Sequence, residues 1–151
     1  MATSITRSLM YSIQIDGVSV PAKFRNEIPV SQFDLIGYHE SGDANGAGGG
    51  SGKAHFEPLQ IKIDYNPETT ASLYVLMAEG GGVDSAILRG NASNGDFRLK
   101  IELQGVHIKS VHIQLEQAKP YILVELNYNR IRWYYTEDEA EGWDIGSNKR
   151  S

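Results

Sequence analysis

Hydrophobic and polar positions alternate with period two over most of this chain, which predicts strands with one buried face. Tyr11, Ile13 and Ile15 alternate with Ser12 and Gln14 before the turn signal Asp16-Gly17. Ile28-Pro29-Val30 and Phe33-Asp34-Leu35-Ile36 predict a second, interrupted strand, and Pro29 places it at an edge or a bulge because proline cannot donate to a ladder. Phe56, Leu59, Ile61 and Ile63 predict the next strand, with a defect at Pro58 near its start. Ser85–Arg89 predicts a short strand. Phe97–Gln104 alternates almost without fault, and Val111, Ile113 and Leu115 repeat that pattern as a further strand. Ile122, Val124, Leu126 and Tyr128 share one face, but Ile131, Trp133 and Tyr135 carry the apolar set at odd numbers. A parity change across Tyr128-Asn129-Arg130 predicts a bulge or kink there.

One segment breaks the pattern. Leu73, Leu76 and Met77 recur at helical spacing. Asn66 can cap the first turn, Pro67 suits the first helical position, and Glu68 complements the positive end of the helix dipole. Gly80-Gly81-Gly82 supplies the left-handed residues that end a helix. The expectation is a mainly β fold, a barrel or sandwich of short strands, with one α-helix over about 67–79 covering one side. Residues 1–151 read as one domain with a Gly-rich loop at about 40–53 and a flexible tail at about 146–151. No internal repeat is visible.

Composition narrows the chemistry. The 151 residues suit one core. The formal charge of -5 disfavours non-specific binding to nucleic acid or anionic lipid. Cysteine is absent, which removes disulfides, thiolate metal sites and cysteine nucleophiles. No stretch approaches the roughly 20 apolar residues of a membrane span. The N-terminus lacks the apolar run of a signal peptide, so the expectation is synthesis in the cytoplasm and, if the protein leaves, export without a cleaved signal.

Four sets of residues are candidates for functional chemistry. Gly46-Ala47-Gly48-Gly49-Gly50-Ser51-Gly52-Lys53 has the look of a phosphate-binding loop. Ala54 stands where the magnesium-binding hydroxyl belongs, and a strand pattern follows where a helix is required, so nucleotide binding by Lys53 is disfavoured. The run Glu137-Asp138-Glu139-Ala140-Glu141-Gly142 has acids at alternate positions but lacks the rest of a calcium loop, and reads as a solvated acidic turn. His39, His55, His107 and His112 show no metal spacing; His107 and His112 are five apart and would face opposite sides of a regular strand. Tyr128, Trp133, Tyr134 and Tyr135 lack a basic surround for stacking on bases and read as core or interface residues. No catalytic group, cofactor or metal is expected.

The order of these pieces resembles the haemolysin-coregulated protein (Hcp) family, the inner-tube subunit of type VI secretion systems. The resemblance runs through Ser12-Ile13-Gln14-Ile15-Asp16-Gly17, then Gly48–Lys53 leading into Phe56-Glu57-Pro58-Leu59. It continues through Ile63-Asp64-Tyr65-Asn66-Pro67-Glu68 and Ser85-Ala86-Ile87-Leu88. It closes with Leu126–Trp133 and Gly142-Trp143-Asp144. Val18–Asn26 departs from it in lacking a glycine- and serine-rich turn, and the glycine run is unusually long. The resemblance implies a β-barrel of two packed sheets with one helix, assembled as homohexameric rings that stack into a tube. The implied partners are further copies, a sheath, a spike protein and secreted effectors carried in the lumen. Gly46, Ala47, Gly48, Gly49, Gly50, Ser51, Gly52 and Lys53 are the expected ring-stacking or subunit contact. The polar face of Arg98, Lys100 and Glu102 is expected to line either the lumen or the outer wall. The alternatives are a monomeric β-barrel binding module, or a specialised paralogue that does not build the tube.

Overall fold

The computed structural model describes residues 9–40 and 52–151. Its elements, in chain order, are β1 (Leu9–Ile15), β2 (Ile28–Pro29), β3 (Gln32–Asp34), β4 (Gly37–Glu40), β5 (Lys53–Phe56), β6 (Leu59–Asp64), α1 (Pro67–Ala78), β7 (Gly82–Ala92), β8 (Phe97–Glu116), β9 (Lys119–Asn127), β10 (Arg130–Tyr134), β11 (Ala140–Asp144) and β12 (Lys149–Arg150). A short 3-10 turn, Ala22–Phe24, lies between β1 and β2.

The spine is β8, a single antiparallel strand of 20 residues. Its first half pairs with β7 on one edge and β10 on the other; its second half leaves both and pairs with β9. Beyond β7 lie β1 and β2, and beyond β10 lie β11 and β12. Beyond β9 lie β6 and β3. One strand thus belongs to both layers of the barrel, and the layers close on one core that includes Ile13, Leu88 and Leu103 from the first and Ile61, Ile122 and Val124 from the second.

A strand serves two layers only if it turns its faces. Gly105 does this at φ +62°, where a side chain would be strained and where a Cβ would sit 2.7 Å from the Asn129 amide nitrogen. A second register shift follows between Ile108 and Ser110. These two irregularities account for the inward positions moving from the buried Ile101 and Leu103 to the buried Val106 and Ile108, and then to the half-buried Val111. They also change a sequence-based expectation. With one extra residue between Ile108 and Ser110, His107 (opposite Asn127) and His112 (opposite Leu123) fall on the same face of β8, not on opposite faces.

Other expectations are revised in the same way. The strand predicted at Ser85–Arg89 extends over Gly82–Ala92, and the two strands predicted at 97–104 and 111–115 are continuous. The interrupted strand near Pro29 is two elements with different partners: β2 adds to β1 at the sheet edge, where Pro29 is tolerated, while β3 adds to β6. Pro58 likewise separates β5 from β6. The parity change at 128–130 separates β9 from β10, which pair with different halves of β8. Residues 149–150 of the expected tail pair with β11.

Helix α1 starts as its sequence suggests. The Asn66 side chain accepts the Thr69 N–H at 3.1 Å, and Pro67 follows the cap. Leu73 is wholly buried, and Leu76 and Met77 pack at the margin of the core. The buried Thr69 hydroxyl donates to the Ser19 carbonyl at 2.9 Å, which ties the loop after β1 to the helix. The helix ends after Ala78 with Gly80 N–H bonded to Met77 O (3.1 Å) and Gly81 N–H to Leu76 O (2.8 Å), the paired bonds of a glycine-terminated helix. Gly81 O then accepts the Ile108 N–H at 2.7 Å, joining the helix exit to the spine strand.

Candidate assembly surfaces

Three surfaces are built on this frame, and none resembles a catalytic site. The first is the hairpin of β4 and β5, which forms a separate two-stranded sheet. Tyr38 lies opposite His55, and their rings stack at 5.0 Å and 17°. His55 Nε2 is 2.7 Å from Glu40 Oε1. The hairpin base is pinned to the barrel. Glu57 N–H donates to Ile36 O at 2.9 Å, the Tyr128 hydroxyl donates to Glu57 O at 2.8 Å, and Phe56 packs on Trp133 at 5.9 Å. Burial, then the Glu57 charge, pushes the Tyr128 phenol up to about 12. Of the predicted contact residues, Gly46, Ala47, Gly48, Gly49, Gly50 and Ser51 lie outside the described residues. Gly52 precedes β5, and Lys53 opens that strand, exposed and opposite Glu40. Lys53 therefore leads into a strand, not into the helix that a phosphate-binding loop requires.

The second surface is the outward face of β7, β8 and β10. Lys100 and Glu102 alternate here along β8, while Arg98 falls at a register shift between β7 and β8, and other strands add residues that sequence reasoning did not connect to them. Arg89 of β7 lies opposite Lys100, and Arg132 of β10 lies opposite Glu102. The Lys100 ammonium sits 4.2 Å from the Tyr134 ring centre, and the Tyr134 hydroxyl donates to Glu102 at 3.0 Å. Burial first, then the bond and charge of Glu102, raises the Tyr134 phenol above its usual value, while Arg132 pulls the other way. Beside them Arg130 pairs with Asp144 at 3.1 Å; the Ser147 backbone N–H, and then Arg130, holds that carboxyl below the usual range.

The third surface has no counterpart in the sequence-based expectations. The β8–β9 hairpin closes with Gln117 and Ala118 both at positive φ, the geometry of a two-residue turn between twisted strands. It runs past the end of the core. Ile113 and Leu115 keep the inward parity of Val111, yet they are 45 % and 72 % exposed. Alternation alone makes such positions look buried. Among the described residues, no buried layer covers them.

The acidic turn is solvated as expected: Glu137, Asp138 and Glu139 are exposed, and the Thr136 hydroxyl accepts the Glu139 N–H at 2.9 Å. Among the described residues no three His, Asp or Glu side chains are placed to hold a metal, and no helix is long and apolar enough to cross a membrane.

The mainly β barrel with one helix and an attached hairpin defines the class, and comparison with known proteins gives the family. The family model described as "Type VI secretion system effector, Hcp" matches residues 6–135. The chain belongs to the Hcp family of type VI secretion proteins. Its fold is that of solved structures from the same machinery. Hcp1 from Salmonella typhimurium is 23 % identical with a TM-score of 0.76, over 96 % of this chain and 100 % of that one. A type six secretion system protein is 18 % identical with a TM-score of 0.80, over 95 % and 100 %. The secreted protein Hcp3 from Pseudomonas aeruginosa is 12 % identical with a TM-score of 0.61, over 91 % and 97 %. No curated protein sequence matches.

Proposed function

We propose that this chain, as a single domain, builds the inner tube of a type VI secretion system. Six copies close into a ring, rings stack, and effectors travel in the lumen. The role is structural and not enzymatic. The protein is made in the cytoplasm and leaves through the apparatus itself. Its partners are further copies of itself, the sheath, the spike and the effectors.

Family membership supplies the machine. The observation that carries self-assembly is the apolar end of the β8–β9 hairpin, where Ile113 and Leu115 keep an inward parity yet are exposed among the described residues. Burying such side chains against a neighbour gains roughly 25 cal/mol per Å² of apolar surface. A ring uses head-to-tail contacts that close on rotation, so one apolar patch per subunit serves every interface. Light scattering on the purified protein tests this. A mass of roughly six chains, about 100 kDa, fits a closed ring. A monomer at high concentration that is also never exported removes the tube reading in favour of a small binding module.

The Gly-rich segment 46–53 is the proposed ring-to-ring contact. It lies in the chain between the two strands of a hairpin whose base is anchored through Tyr128 and Phe56. Deleting Gly46–Gly50 is expected to leave the melting temperature almost unchanged, since loop length alters stability only slowly. The same deletion is expected to abolish stacking, read as loss of species larger than one ring. An unfolded variant, or one that stacks as before, refutes the assignment.

A further inference from the structure

Between β7 and β8 the chain runs Ser93-Asn94-Gly95-Asp96, and all four residues are exposed. Asparagine followed by glycine is chemically labile, because no side chain shields the glycine nitrogen from the asparagine amide carbon. The folded turn withholds both reactants. The Gly95 N–H donates to Ala92 O at 2.8 Å, so the nitrogen that would have to lose its proton is engaged. Both ends of the Asn94 amide are held as well. Its Oδ1 accepts the Asp96 N–H at 2.9 Å, and its Nδ2 donates to Asp96 Oδ2 at 3.1 Å. The Ala92 N–H donates to Asp96 O at 2.9 Å and closes the hairpin. Gly95 takes φ +93°, and a Cβ there would meet nothing within 4 Å among the described residues. Hydrogen bonds, not packing, keep this step in place. Each such bond contributes little net stability, and an exposed turn opens locally at far less cost than the whole fold.

We propose that Asn94–Gly95 is a modification site gated by folding: the closed β7–β8 turn keeps the Asn94 amide unreactive, and an opened turn lets it convert to aspartate and isoaspartate. The Gly95 nitrogen attacks Asn94 Cγ. The N–Cγ bond forms, the Cγ–Nδ2 bond breaks, and the Gly95 proton leaves with the amide as ammonia. Water then opens the succinimide ring at either carbonyl. Neither product returns to the same turn. Aspartate lacks the Nδ2 donor and sets a second carboxylate beside that of Asp96, where the native amide donates. Isoaspartate routes the main chain through Cβ and Cγ. That adds one atom to a turn whose length is fixed by the Gly95–Ala92 and Ala92–Asp96 bonds. The reaction therefore marks chains whose hairpin has opened and weakens the β7–β8 pairing at its turn. It holds whether or not the chain builds a tube.

The test follows the full-length protein, native and unfolded in guanidinium chloride, incubated side by side at mildly alkaline pH. Trypsin then releases Gly90–Arg98, and fragment masses assign the amide-to-acid gain to Asn94 rather than Asn91. Asn45–Gly46 lies outside the described residues and on another tryptic peptide, Asn26–Lys53, so it does not enter the reading. Conversion of Asn94 is expected to be at least about tenfold faster in the unfolded chain, since protection follows the cost of opening. Asp96→Ala removes the carboxylate that holds Nδ2. It is expected to raise the native rate at least about threefold, the loss of one exposed hydrogen bond. Its melting temperature and its rate in guanidinium chloride are expected to match those of the wild type. Equal rates in folded and unfolded chains, no conversion in either, or a folded Asp96→Ala variant that reacts no faster than wild type overturns the inference. If Asp96→Ala fails to fold, the ratio of native to unfolded rates in the wild-type chain decides alone.

Discussion

Tyr128 shows how much a single side chain can tie together. It ends the buried row Ile122, Val124, Leu126, and its hydroxyl reaches across to the Glu57 carbonyl at the foot of the β4–β5 hairpin. Burial holds its phenol at about 12, above the ordinary tyrosine value of 10.0. The fold therefore favours the neutral form. This stability is complete below pH 10 and is lost as pH rises toward 12, because only the unfolded chain sheds the proton in that window. Tyr128→Phe is expected to cost about 1 kcal/mol at neutral pH through the lost hydrogen bond. It is also expected to flatten the fall in stability between pH 10 and 12 relative to wild type, measured by urea unfolding across that range. An identical alkaline slope in both proteins would count against this account. The alternation around Tyr128 marks it as inward-facing, but its partner Glu57 is 71 positions away in the chain. No local pattern names such a partner.

At the scale of elements, the joint between α1 and the spine strand is the least forgiving point. Gly80 and Gly81 both take positive φ, but their surroundings differ. A Cβ at Gly80 meets nothing within 4 Å, while one at Gly81 lies 2.6 Å from the Ile108 carbonyl oxygen. Gly80→Ala is expected to cost about 1 kcal/mol, the conformational term alone. Gly81→Ala adds a backbone clash and is expected to cost at least about 2 kcal/mol. Denaturant melts of the two variants test the difference. Much of this element was legible in advance: the cap at Asn66, the proline after it, and the glycines that stop the helix all act through neighbours in sequence. The continuity of β8 was not. Its apolar parity changes twice, which along the chain looks like the end of one strand and the start of another. In space the changes at Gly105 and at Ile108/Ser110 are bulges, bridged because β7, β9 and β10 supply hydrogen-bond partners on both sides of each irregularity.

At the scale of the whole molecule, the barrel leaves large apolar side chains exposed. Leu115 is the most exposed of the large apolar side chains that keep an inward parity on β8. Leu115→Glu is expected to leave the monomer's stability within about 0.5 kcal/mol, as exposed positions usually do. It is expected to shift the solution mass from the ring to the monomer, because a charge placed in an apolar contact is costly to bury. Light scattering at matched concentration checks this, and an unchanged ring mass would move the subunit contact elsewhere. The outward face of β7, β8 and β10 adds a second property that belongs to no single element. Arg89, Lys100, Glu102 and Arg132 come from three strands and meet only because β7 and β10 flank the same half of β8. The alternation of Lys100 and Glu102 was visible along the chain, whereas their cross-strand partners Arg89 and Arg132 were not.

The sequence by itself determined the residues' local tendencies: which strand positions face inward, where α1 begins and stops, and that proline interrupts the ladder at Pro29 and Pro58. These follow from backbone sterics and from the two-residue and 3.6-residue periods, which need no distant partner. The tertiary structure decided which strands pair, that one strand serves both layers, that His107 and His112 share a face, and that Ile113 and Leu115 stay uncovered while Ile122 opposite Ile113 is buried. Alternation encodes the direction of a side chain, but whether anything lies in that direction depends on where the opposing layer ends.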